Sequence, residues 1–330
     1  MKLSMLDLVA VREGGTVGDA LQIALRTARH VESLGFARYW LAEHHNFPGI
    51  ASSATAVLVG YIAGGTARIR VGSGGIMLPN HSPIVVAEAF GTLAELYPGR
   101  IDLGLGRAPG TDAYTMRALR RDRPETEADY PRDVLELQKL LGPLEPGQRV
   151  VAVPGAGTNV PIWLLGSSLF SAQLAAQLGL PYAFASHFAP AALHHALRIY
   201  REQFRPSAQL AQPYVMVGVP VIAAPSDAEA EYLASSTQQR VLGIVRGERR
   251  CLPPPVDGYL ASLAPHERAA VEDFLSVAIV GSPATVRQGF ADLREATRAD
   301  EMILVSDVFD AELRLRSLSL IAEAADFVPA

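Results

Sequence analysis

The chain has 330 residues, 49% hydrophobic and 19% charged, a composition that excludes a disordered polypeptide. With 29 lysines and arginines against 34 aspartates and glutamates, the net charge is −5, so we expect neither nucleic acid nor a membrane as a partner. Cys251 is the only cysteine, no apolar stretch reaches about 18 residues, and Asp7 interrupts the apolar run that a signal peptide needs, so the sequence predicts a cytoplasmic protein.

Short β-like segments alternate with longer helical segments along almost the whole chain. In chain order, strands are predicted over 3–11, 38–42, 69–78, 101–105, 162–165, 182–186, 215–223 and 301–305. Helices are predicted over 17–34, 52–64, 83–96, 131–141, 169–178, 191–204, 227–246, 266–278, 283–296 and 311–325. The stretch from Arg107 to about Ala128 is expected to be irregular.

Eight β/α units in order predict an α/β protein with the (β/α)8 TIM-barrel fold. Two long insertions are expected, at about 107–160 after the fourth strand and about 224–280 after the seventh, within a single domain over 1–330. The alternative is a doubly wound open sheet, but the glycine pattern of a dinucleotide-binding turn is missing after the first strand.

In a TIM barrel the working residues lie at the carboxyl ends of the strands. Glu43, His44 and His45 follow the second predicted strand, and a histidine there can act as a pocket acid or base. The alternatives are a histidine held by hydrogen bonds at a strand end, or a metal site. Neighbouring residues of an extended segment face opposite ways, and no third ligand is visible beside Glu43 and His45, so no metal is predicted.

A serine-rich turn and an arginine lie on the same predicted rim. Gly166, Ser167, Ser168 and Ser171 lie between a strand and a helix, where backbone N–H groups and hydroxyls suit a phosphate. Arg107 supplies a matching cation after the fourth strand. Taken singly, these features are equally well explained as a serine helix cap and a surface arginine.

Gly74 and Gly75 lie inside an apolar predicted strand, which glycine weakens. Such glycines mark either a tight corner of the barrel or a place where a flat ligand lies on the backbone.

Together these segments resemble the bacterial luciferase-like monooxygenase family, the flavin-dependent TIM-barrel oxidoreductases. The matching segments are YWLAEHHN at 39–46, IRVGSGGIMLPNHSP at 69–83, RIDLGLGRAPGTD at 100–112 and IWLLGSS at 162–168. The order and spacing match from residue 3 to about 190, and the last third matches more loosely. The resemblance is closest to single-chain members of unknown substrate.

The resemblance implies a monooxygenase that uses FMN, reduced by a separate NAD(P)H-dependent flavin reductase, and O₂ to oxidise a small organic substrate. It implies phosphate contacts at Arg107, Ser167, Ser168 and Ser171, and a non-prolyl cis peptide at Gly74–Gly75 under the flavin ring. The family's catalytic histidine falls on His44, and Glu43 beside it is expected to be catalytic as well. Luciferase has a reactive cysteine where this chain has Gly106, so that thiol's role does not carry over.

Three alternatives remain open. An F420-dependent hydride-transfer enzyme shares the fold, the family also contains non-catalytic flavin-binding proteins, and a metal-dependent hydrolase can use the same barrel. The resemblance further implies a homodimer. The insertion at 224–280 is either a lid or a surface excursion.

Overall fold

Eight parallel strands close into a barrel in the computed structural model, which describes residues 1–108, 112–119 and 129–329. The barrel strands are β1 (Lys2–Asp7), β2 (Arg38–Leu41), β3 (Arg70–Met77), β4 (Ile101–Gly106), β5 (Ile162–Gly166), β6 (Tyr182–Phe184), β7 (Val215–Ala223) and β9 (Glu301–Val305). Strands β1 to β6 follow one another around the ring, β9 lies between β1 and β7, and pairing of β6 with β7 closes it. The predicted TIM barrel is confirmed.

Helices surround the barrel. They are α1 (Val17–Ser33), α2 (Thr55–Gly65), α3 (Pro83–Leu96), α4 (Ala113–Leu119), α5 (Asp129–Leu141), α6 (Leu169–Leu178), α7 (Leu193–Gln203), α8 (Asp227–Val245), α9 (Tyr259–Ser262), α10 (Pro265–Phe274), α11 (Pro283–Thr297) and α12 (Ala311–Ala324). Local sequence sets their ends. Thr16 and Asp19 form a reciprocal capping box at the start of α1, and Gly35, with φ +84°, follows its end.

The structure differs from the sequence prediction in several places, among them the short helix α9, which was not predicted. The stretch expected to be irregular contains α4, because Asp112 accepts hydrogen bonds from the backbone N–H groups of Tyr114 and Thr115 and so caps the helix. The rest of that expectation, at 109–111 and 120–128, lies outside the described residues. A short strand, β8 (Ile279–Gly281), was missed; it pairs with the end of β7 outside the barrel ring.

The barrel lumen is filled by apolar side chains. Its members are Leu6, Trp40, Ala42, Trp163, Ala183, Met216, Ile303 and Val305, all buried. The indoles of Trp40 and Trp163 meet edge to face with ring centroids 5.2 Å apart. A larger apolar layer lies between the strands and the helices. The lumen is therefore a packed core, and ligands must bind above it.

The amino end of the barrel is closed by a buried ion-pair network. Arg38 Nη1 lies 2.6 Å from Asp102 Oδ2, and Arg38 Nε lies 3.0 Å from Glu301 Oε1, with both carboxylates fully buried. Arg70 also pairs with Asp102, at 2.6 Å, and Tyr214 donates to Glu301 at 2.9 Å. Burial alone would raise the pKa of Asp102, but the two arginines hold it below its usual value.

No helix in the described parts of the chain combines the length and apolar character that a membrane crossing requires.

Candidate functional site at the barrel mouth

The carboxyl ends of the barrel strands form one rim. Glu43 and His44 follow β2, Arg107 follows β4, Ser167 follows β5, and Asp307 lies beyond the end of β9. Because the strands are parallel, all of these residues lie at the same end of the barrel. The rim expected from the sequence is therefore present as a structural feature.

Arg107 and the serine-rich turn lie together. The guanidinium carbon of Arg107 lies 4.5 Å above the ring centroid of Phe170, the second residue of α6. Ser168 is the residue that precedes α6, and its side chain makes no capping hydrogen bond. The simple serine cap that was the alternative explanation is therefore absent, and the first-turn N–H groups of α6 keep their capacity to bind an anion.

Ser171 is more deeply placed than its neighbours. Its hydroxyl donates to the Ser168 carbonyl at 2.8 Å and lies 3.2 Å from the Tyr182 hydroxyl. A side chain on Gly166 would collide with Ser171, so glycine allows the end of β5 to pass close to α6. Ser171 and Gly166 thus shape the turn, whereas Ser167 and Ser168 are the partly exposed serines within it.

The Gly74–Gly75 peptide is cis, as the resemblance implied. The β3–β4 pairing shifts register between Ser73 and Ile76, so these glycines also mark a bulge. A Cβ on Gly74 would lie 2.7 Å from a methyl carbon of Leu6, and one on Gly75 would lie 2.7 Å from the Gly104 carbonyl oxygen. Close packing on both sides requires glycine at both positions.

Glu43 is held by protein donors on both oxygens. Its Oε1 accepts from Nε2 of His45 and of His81, each at 2.8 Å, and its Oε2 accepts from the Met77 backbone N–H at 3.2 Å. Burial raises the pKa of Glu43, but the bond from His81, followed by that from His45, brings it below its usual value. The expectation that Glu43 and His45 lack a third partner was wrong, because pairing of β2 with β3 brings His81 beside them.

His44 lies at the entrance of the barrel with part of its side chain exposed. Its ring centroid is 6.5 Å from that of Phe47, and its backbone carbonyl accepts from the Ser53 hydroxyl at 2.8 Å. The segment that carries His44 is therefore anchored through its backbone and through its neighbour Glu43.

His187 is a candidate that the sequence prediction did not select. Burial lowers the pKa of His187 to about 4, with smaller contributions from the neighbouring His44 and Arg240, so the imidazole is neutral at pH 7. The Nδ1 atom of His187 lies against Gly218, which is on the same face of β7 as the lumen residue Met216. This nitrogen is inaccessible to solvent and has no hydrogen-bond partner among the described residues. A histidine directly after a strand end was the available signal.

Arg240 and Asp307 form a second group; the sequence places Asp307 at the end of the eighth predicted strand, whereas Arg240 was missed. Arg240 Nη2 pairs with Asp307, while within the described chain its buried Nη1 has no partner. Arg240 belongs to α8, inside the expected insertion. The only sequence signal for a functional role of this helix is the run of polar residues at 235–239, directly before Arg240. Sequence spacing could not place α8 over the barrel mouth.

A cavity of about 210 Å³ lies beside these groups, between α8, α10 and the ends of β7 and β9. Pro220, Ile222 and Val305 form an apolar floor, and Asp307 and Gln238 add polar atoms. Its size and mixed lining suit a small organic molecule with an apolar body and a polar group.

The sequence model of the luciferase-like monooxygenase family matches residues 1–300. This chain belongs to the luciferase-like monooxygenase family. A protein of Escherichia coli (strain K12) named "Luciferase-like monooxygenase" is 52% identical over 317 residues, which cover 96% of this chain and 95% of that protein. The crystal structure of apo-MsnO8 is 36% identical, covers 100% of this chain and 99% of that one, and superposes with a TM-score of 0.88.

More distant members of the luciferase-like fold were solved with two different cofactors. One is the oxygenating constituent of 3,6-diketocamphane monooxygenase from Pseudomonas putida in complex with FMN, 20% identical with a TM-score of 0.73 over 100% of this chain and 99% of that one. Another is an F420-dependent secondary alcohol dehydrogenase with an F420–acetone adduct, 14% identical with a TM-score of 0.68 over 98% and 99%. At these identities the likeness concerns the fold.

Proposed function

We propose that this protein is an FMN-dependent monooxygenase that uses reduced flavin and O₂ on a small organic substrate. The observation that carries the proposal is the position of Arg107 over Phe170, beside an α6 terminus that lacks a side-chain cap. A guanidinium and free N–H groups at a helix N-terminus together form an anion site of the size of one phosphate. The ribityl phosphate of FMN supplies that anion.

The proposed roles of the rim residues follow from their contacts. Arg107, Ser167 and Ser168 bind the phosphate, Ser171 and Gly166 keep the turn in shape, and Gly74 and Gly75 form a surface without side chains for the flavin ring. FMN, when bound, supplies the reaction with O₂. His44 moves a proton at the barrel mouth, and Glu43, first expected to be catalytic, acts by positioning the segment that carries His44.

The substrate is proposed to occupy the cavity between α8 and β7. Its floor is apolar, and Gln238 together with Asp307, which pairs with Arg240, supplies polar atoms to the lining. We propose that a separate NAD(P)H-dependent flavin reductase supplies reduced FMN, by analogy with the Pseudomonas putida protein, whose structure is described as an oxygenating constituent. We also propose that the chain forms a single domain and works in the cytoplasm.

An anaerobic titration tests the cofactor. Cofactor-free protein is titrated in turn with FMN, reduced FMN and F420, and binding is followed by fluorescence and calorimetry. We expect saturable binding of one equivalent of reduced FMN, and much weaker binding of F420. Tighter binding of F420 than of reduced FMN would make the protein an F420-dependent hydride-transfer enzyme.

Arg107→Ala is expected to weaken FMN binding by about 10- to 150-fold, because a charge-assisted bond to phosphate contributes about 1.5–3 kcal/mol. Arg107→Lys is expected to recover part of this affinity, since it restores the charge without the planar fork. Arg287→Ala, which removes an exposed arginine on α11, is the matched control and is expected to leave FMN affinity unchanged. Equal affinity in Arg107→Ala and the wild type would contradict the phosphate assignment.

We propose that the exposed apolar face of α2 and α3 forms a homodimer interface. Val57 is 71% exposed, Val85 is 56% exposed and Tyr61 is 37% exposed, and the two helices are neighbours. Val57→Lys combined with Val85→Lys is expected to convert a dimer into a monomer in sedimentation velocity. Val17→Lys, at a 53% exposed position of α1, is the control. A monomeric wild-type protein would refute the proposal.

A further inference from the structure

The partners of the buried carboxylates set Glu43 apart. In the described residues, every other buried carboxylate forms an ion pair with an arginine: Asp7 with Arg314, Asp102 with Arg38 and Arg70, Asp129 and Asp133 with Arg132, Glu301 with Arg38, and Asp307 with Arg240. Glu43, only 1% exposed, instead pairs with the histidines His45 and His81. A buried carboxylate needs a positive partner, and two imidazoles do not carry a fixed charge.

The three side chains are arranged as ligands around one point. One donor atom from each of Glu43, His45 and His81 lies within 4.8 Å of the other two, and Nε2 of each histidine is 2.8 Å from Glu43 Oε1. Two imidazole nitrogens and one carboxylate oxygen are the donor set that zinc accepts with three protein ligands. His81 is 28% exposed and His45 14% exposed, so the cluster has a side from which an ion and a water molecule can enter.

We propose that Glu43, His45 and His81 form a binding site for one divalent transition-metal ion, with Zn²⁺ as the best match. The ion supplies the positive charge that arginine supplies at the other buried carboxylates. With metal–ligand bonds of about 2.0–2.2 Å in a tetrahedron, donor atoms lie roughly 3.4 Å apart, so each histidine nitrogen moves back from Glu43 by roughly half an ångström. Both imidazoles then carry their proton on Nδ1, which leaves Nε2 free to bind.

The ion links the ends of β2 and β3. Glu43 and His45 follow β2, whereas His81 follows the short 3₁₀ helix Leu78–Asn80 after β3. His44 lies between the two ligands that follow β2. Occupancy is therefore expected to fix the segment that carries His44, and the site is independent of whether the protein binds FMN.

The test uses Co²⁺ as a spectroscopic substitute for Zn²⁺. Full-length protein is freed of metal with a chelator and titrated with Co²⁺ in the absence of flavin. We expect one equivalent to bind with the intense visible bands of tetrahedral cobalt, and one equivalent of Zn²⁺ to displace it. Absence of these bands, or binding without a defined stoichiometry, would overturn the proposal, whatever the flavin titration shows.

Two variants locate the ion. His81→Ala is expected to weaken Co²⁺ binding at least tenfold, and His81→Asn, which can still donate to Glu43, is expected to do the same with the fold preserved in circular dichroism. His195→Ala, which removes an exposed histidine on α7, is the matched control and should bind as the wild type does. Unchanged binding in a folded His81 variant would refute the site.

Discussion

His44→Ala is expected to reduce turnover by about 10²- to 10⁴-fold, the range typical for loss of a general acid or base. The imidazole lies partly exposed at the barrel mouth, on a segment anchored by the Ser53 hydroxyl and by Glu43. It is therefore placed to move a proton without contributing to the phosphate site around Arg107. The measurement is the rate of oxygenated product formation with reduced FMN supplied by a flavin reductase.

Two controls separate catalysis from binding. The affinity of His44→Ala for reduced FMN is expected to stay within about twofold of the wild type, because the proposed phosphate contacts are untouched. His195→Ala is expected to keep full turnover. Wild-type turnover in His44→Ala would remove the role assigned to the histidine. A wild-type protein that binds FMN but oxygenates none of a panel of small substrates would be a non-catalytic flavin-binding protein.

Arg38→Met is expected to lower the free energy of unfolding by about 3–5 kcal/mol. Arg38 is 11% exposed and is shared by two fully buried carboxylates, so its loss leaves Glu301 without its arginine and Asp102 with Arg70 alone. Removing one partner of a buried ion pair costs this much because the remaining charge stays buried. Urea denaturation followed by circular dichroism gives the change.

Arg26→Met is the control for this substitution. Arg26 pairs with Glu312 on the surface, where the two side chains are 51% and 68% exposed, and its loss is expected to leave the midpoint nearly unchanged. Similar midpoints for Arg38→Met and Arg26→Met would contradict a structural role for the network. One unfolding transition is expected in the wild type, and two separated transitions would contradict the single-domain proposal.

The barrel was predictable because its signals are local. Apolar strands, helical spacing and Gly35 after the first helix lie within short stretches, and they predicted eight β/α units. The strand β8 was missed because three residues are too few to show the alternation of apolar and polar side chains that is typical of a strand. The helix α4 was missed because the residues around its cap, Asp112, do not show the apolar spacing of a helix. The cis peptide at Gly74–Gly75 came from the family resemblance, since glycine content alone allowed a barrel corner equally well.

The sequence predicted only those residues of the candidate site that directly follow a barrel strand. Arg107 and Ser168 follow strands directly, so the barrel rule placed them on one rim. The pairing of β2 with β3 brings His81 into contact with Glu43. The spacing of these residues along the chain does not predict that contact. Arg240 reaches Asp307 from α8, a helix whose position over the mouth depends on the packing of the whole 224–280 segment.

The closed amino end of the barrel limits the directions from which the proposed reactants can arrive. Arg38, Asp102 and Glu301 seal that end, and Trp40 and Trp163 fill the space above them, so the described residues leave no passage along the barrel axis. In the proposed reaction, cofactor and organic reactant therefore approach from the carboxyl end of the strands. On that proposal, a product leaves at the end of the barrel where the cofactor binds, and neither crosses the lumen.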